Sequence, residues 1–108
     1  MDICSLLRDP KIQRILKEME ERSKRMMREI AISLCNGKIS MEIGDRDSVK
    51  VPACPIGSPK VVVHTHTLTP KPSTADLAQS YKQPVCILFN KKVTCYFKGK
   101  KVCSFDLK

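Results

Sequence analysis

Apolar residues recur at Ile12, Ile15, Leu16, Met19, Met26 and Met27, directly after Asp9-Pro10. That spacing predicts a helix with one buried face. Asp9 suits its N-cap and Pro10 its first turn, where a missing N–H costs nothing. Glu18/Arg22, Glu20/Lys24 and Glu21/Arg25 stand i,i+4 on the expected solvated side, each acid N-terminal to its base. Near Arg28 the period drops to two. Ile30, Ile32 and Leu34 alternate with Ala31 and Ser33, as in a strand. Asn36-Gly37 is a hairpin turn signal, and Ile39, Met41 and Ile43 alternate as the returning strand.

Gly44 to Asp47 reads as a turn and Ser48 to Val51 as a short third strand. Pro52, Pro55, Gly57 and Pro59 mark a loop. Lys60 to Thr65 reads as a strand whose Val61-Val62-Val63 run implies burial on both faces, hence a central position. A loop follows to Pro72. Ser73-Thr74-Ala75-Asp76 is a capping box opening a short helix that runs to about Tyr81. Val85–Phe89, Val93–Phe97 and Lys101–Phe105 complete the strands. The order predicts one α+β or three-layer mixed domain over residues 1–108, with a mixed sheet flanked by the N-terminal helix and the short helix.

Composition changes this picture little. The chain has 108 residues, 42% of them apolar, enough for one core. No apolar run approaches the roughly 20 residues of a membrane span. Met1 to Arg8 is too short and too soon charged for a signal peptide, so the expected location is cytoplasmic and no membrane partner is expected. The net charge of +9 permits nucleic-acid binding, but the basic residues lack interleaved aromatics, which favours a merely solvated surface. The six cysteines form no CxxC pair. Buried thiols are expected ahead of disulfides, with Cys95 and Cys103, flanking a hairpin turn, as the pair to watch.

The candidate chemistry lies in His64-Thr65-His66 and the capping box. Strand residues two apart project from one face, so both imidazoles point to the same side, roughly 7 Å apart along the chain. Asp76, in the first turn of the next helix, can turn its carboxylate toward them. Two imidazoles and one carboxylate leave a fourth tetrahedral position open, the layout of catalytic rather than structural zinc. Such a zinc needs a nearby carboxylate as general base. The plainer reading is two polar-face histidines beside an ordinary helix cap. The conjunction at the end of one buried strand favours the metal.

The stretch VVVHTHTLTPKPSTADL resembles the signature of JAMM (MPN-type) zinc metalloproteases: an upstream Glu, then His-x-His, a loop, and Ser-x-x-Asp. Arg28 to Gly37 fits the family's upstream segment, and the order of elements follows the family's over most of the chain. The resemblance implies a cytidine-deaminase-like, three-layer MPN fold. It implies Zn2+ held by His64, His66 and Asp76, with Glu29 taking a proton from the attacking water and delivering it to the leaving amine. Ser73 would stabilise the oxyanion. The implied substrate is a protein joined to a ubiquitin-like modifier through a peptide or isopeptide bond. A surface ion pair is the plain alternative for Glu29, and Glu42 is its competitor as base.

The chain departs from the pattern in three places. Six residues separate His66 from Ser73 where the family usually has seven, Thr67 replaces the Pro after the second His, and valines precede the first. These departures suit a second reading, a non-catalytic binding or scaffold module on the same fold. A third reading is a basic nucleic-acid-associated protein of the RadC branch, whose HNHPSG-type sequence is missing here.

Overall fold

A computed structural model describes residues 2–108. The helix expected after Asp9 is α2, Pro10–Met26. The Asp9 carboxylate accepts from the N–H groups of Lys11 and Ile12, and Met27 ends the helix in the left-handed conformation. A short helix that the sequence reading missed, α1 (Ile3–Leu7), precedes it. At five residues it is too short to show a hydrophobic period. It is held by tertiary contact, with Cys4 and Leu7 buried.

Among the described residues six strands form one mixed sheet: β1 (Ile30–Cys35), β2 (Lys38–Ile43), β3 (Val61–Thr65), β4 (Val85–Phe89), β5 (Lys92–Phe97) and β6 (Lys100–Asp106), in the order β2-β1-β3-β4-β5-β6. β3 and β4 run parallel and the other neighbours antiparallel. A parallel pair needs a crossover, and it contains α3, Thr74–Gln79. The molecule is therefore α+β, and β3 is central and wholly buried, as its valine run implied. Ile30, Ile32, Leu34, Val61, Val63, Cys86, Leu88 and Val93 form the core with Leu7, Leu16 and Met19 of the first two helices. Side chains alternate along a strand, so Glu29, Ala31, Val62 and His64 point to the opposite face.

Ser48 to Val51 is not a strand. Gly44 folds this segment back so closely that a β-carbon there would overlap Ser48 and Val49. The chain then crosses the sheet face, where Pro52 O accepts from Ser33 Oγ at 2.7 Å. Glu20 also departs from expectation. It is buried rather than solvated, and its carboxylate accepts from Lys91 N–H at 2.9 and 3.2 Å, securing the β4–β5 turn.

The cysteines are corrected outright. All are paired, as Cys4–Cys103, Cys35–Cys54 and Cys86–Cys95. Cys95 does face Cys103 across β5 and β6, but it also faces Cys86 across β4 and β5 and bonds there. Cys103 is left to Cys4 of α1. Disulfides persist mainly in oxidising compartments, which points away from the cytoplasmic expectation. No helix of the described residues is long and apolar enough to cross a membrane.

Candidate metal centre

The centre lies at the carboxyl end of β3, where the crossover to the parallel strand β4 begins. Such ends are the usual ligand sites of parallel sheets. His64 is paired with Ala31 of β1, and two residues from that pair, just after β3 and just before β1, stand His66 and Glu29. The antiparallel register thereby brings Glu29 beside the histidines. Its backbone is clamped on the other side, with its N–H on Asp45 O at 2.7 Å and its carbonyl accepting from Gly44 N at 2.8 Å.

Asp76 arrives from α3. Its N–H donates to Ser73 Oγ at 3.0 Å while its Oδ2 accepts from Ser73 N–H at 2.8 Å, the full capping box. The same carboxylate spans both imidazoles. Oδ1 is 3.0 Å from His64 Nε2 and Oδ2 is 3.1 Å from His66 Nε2. The six-residue loop between His66 and Ser73 is thus long enough to return Asp76 to the histidines.

His66 Nδ1 lies 3.0 Å from the Thr69 carbonyl, which can only accept, so Nδ1 carries the proton. In the neutral ring the Nε2 lone pair then faces Asp76, two acceptors opposed at 3.1 Å. A metal cation between them would satisfy both. His64 presents Nε2 the same way. Its Nδ1 is buried without a hydrogen-bond partner, 3.7 Å from Glu29 Oε1. Glu29, His64 and His66 offer ligand atoms within 4.8 Å of one another. The donor set fits a metal ion: two imidazoles, that of His66 oriented by the Thr69 carbonyl, and two carboxylates, of which Asp76 touches both rings.

Electrostatics couple these groups to one another. Burial alone would depress His64, but the carboxylates of Asp76 and Glu29 outweigh it and push the ring up to about 9. Burial would raise Asp76, yet its hydrogen bonds to His64 and His66 hold it far below the usual carboxylate range. Near neutral pH His64 is therefore protonated beside Asp76, and a metal ion has to displace that proton.

The centre forms part of the lining of an open cavity of about 610 Å³ whose walls include Val49, Val51, Leu68 and Pro72. Glu29, His64, His66, Ser73 and Asp76 all reach this cavity. Glu42 does not. It lies on β2 opposite Ala31 and is exposed. Sequence reasoning missed the Thr69 carbonyl, a main-chain acceptor that no side-chain pattern can reveal, and the wall from Asp47 to Val51.

No protein-family model matches the chain, and no curated protein or solved structure shows significant similarity to it. The class defined by fold and site is therefore an α+β domain with a histidine–carboxylate group able to hold a metal ion.

Proposed function

We propose that the protein is a zinc-dependent metallopeptidase of JAMM (MPN) type that hydrolyses peptide or isopeptide bonds, with proteins conjugated to ubiquitin-like modifiers as the substrate class. The reading rests on one observation: the Nε2 atoms of His64 and His66 converge on Asp76, with Glu29 3.7 Å from Nδ1 of His64, on the wall of an open cavity. His64, His66 and Asp76 would hold Zn2+, which when bound supplies Lewis-acid polarisation of the scissile carbonyl and of the attacking water.

Glu29 is the general base. It is 7% exposed, its N–H and carbonyl are both bonded to Gly44-Asp45, and it sits beside the His64 ring. It takes the proton from water and passes it to the leaving amine. Ser73 Oγ accepts from Asp76 N–H, which leaves its own hydroxyl proton free to donate to the oxyanion at the cavity wall. The chain's element order suits the three-layer MPN fold, and the disulfides favour work in an oxidising compartment over the cytoplasm.

A second reading has a specific observation behind it. Asp76 already pairs with both His64 and His66, so a metal-free scaffold of the same fold would also be coherent. A nucleic-acid role is less favoured, because the two carboxylates at the centre repel phosphate.

The zinc-loaded protein, incubated with peptides and modifier-linked substrates, decides between these. Cleavage that stops with chelator and returns with zinc supports the peptidase. A folded protein that takes up no zinc and cleaves none of them supports the metal-free scaffold.

A further inference from the structure

The two edges of the sheet differ. β6 opens on Lys100-Lys101, like charges that discourage pairing with another strand. β2 instead carries one charge of each sign, Lys38 and Glu42. Ile39, Met41 and Ile43 are 42%, 42% and 39% exposed. They face Leu34, Ile32 and Ile30 in the β1 register, so they extend the core face beyond the cover of the helices.

The main chain of those three residues also faces outward. Gly44 N–H donates to Glu29 O, so Gly44 turns its polar groups toward β1. Main-chain direction alternates along an antiparallel strand. Lys38, Ser40 and Glu42 therefore bond inward, and Ile39, Met41 and Ile43 present free N–H and C=O groups at the edge.

We propose that β2 pairs antiparallel with β2 of a second copy of this chain, about a two-fold axis at Ser40. Only registers that match outward-facing residues can bond, and their alternatives are few. Centred on Ser40, Ile39 of one copy bonds Met41 of the other, and the reverse. Lys38 then lies directly opposite Glu42 of the second copy, twice by symmetry. Centring the axis on Glu42 would oppose two glutamates, and centring it on Ile39 or Met41 leaves both charges without partners. The strand is self-complementary in hydrogen bonds, apolar contact and charge at once, as a two-fold interface requires. This inference does not depend on the metal or on the proposed activity.

The test is the oligomeric state of the purified full chain by light scattering and sedimentation, with charge variants of β2. Wild type is expected to dimerise within roughly the micromolar range. Lys38→Glu and Glu42→Lys each place like charges opposite one another and raise the dissociation constant about tenfold or more. Mixing the two variants restores both opposite-charge pairs, so a heterodimer forms with near wild-type affinity. This rescue also shows that both variants are folded. A wild type monomeric to about 100 µM overturns the proposal, since that is too weak for a specific dimer. So does a dimer that neither variant weakens, or a mixture no tighter than its components.

Discussion

Asp76 Oδ1 lies 3.0 Å from His64 Nε2, although the two residues belong to different elements and are separated by a proline-containing loop. The contact joins a helix cap to a buried strand, so Asp76 serves stability and the candidate centre together. Replacing Asp76 by Asn keeps the shape but removes the charge. Zinc affinity should fall by about 100-fold or more, judged by loss of a directly placed ligand. The weakened capping box should cost about 1 kcal/mol. Competition with a chromophoric chelator and a thermal melt read the two effects separately.

Glu29→Gln should leave zinc bound and slow turnover about 100-fold to 10,000-fold, the usual worth of a general base. Glutamine fits the same space but cannot take the proton. Steady-state cleavage alongside metal content checks this. Wild-type turnover in the variant would move the base role elsewhere.

The metal-free protein should show a particular pH dependence. His64 is raised from 6.5 to about 9, so its stabilisation is complete below pH 6.5 and is lost as pH rises through about 9. Asp76 is lowered from 3.8, so its stabilisation is present above that value and is lost as pH falls below it. With chelator present, the melting temperature should decline between pH 6.5 and 9, and zinc affinity should rise over the same window as the proton leaves His64. Melting curves at fixed ionic strength test it; a melting temperature that climbs across that window contradicts it.

Much of the fold was legible because its signals are local. Asp9-Pro10 starts α2, Asn36-Gly37 turns the first hairpin, and Ser73 with Asp76 forms the capping box. The grouping of His64, His66 and Asp76 was legible for the same reason. Glu29 was named from a resemblance, and what seats it is the pairing of Ala31 with His64, a long-range register. The misreadings were tertiary. Glu20 looked solvated by period yet serves a turn 71 residues away. The cysteine partners depend on which of two cross-strand neighbours Cys95 takes. Ser48 to Val51 had the composition of a strand, but Gly44 folds it back against the chain rather than along a strand edge.

The disulfides should matter differently. Cys35–Cys54 closes a separation of 19 residues and Cys4–Cys103 one of 99. By chain entropy the first contributes about 3 kcal/mol and the second nearly 5. Cys4→Ala/Cys103→Ala should therefore lower the denaturant midpoint more than Cys35→Ala/Cys54→Ala. Urea unfolding of both double variants checks the order.

The central claim is that His64, His66 and Asp76 hold a metal. Metal content of purified wild type and His64→Ala, after exposure to zinc and removal of the excess, tests it most directly. About one zinc per chain in the wild type, and loss of it in a folded His64→Ala, is the expected result. A folded wild type that retains none would contradict it.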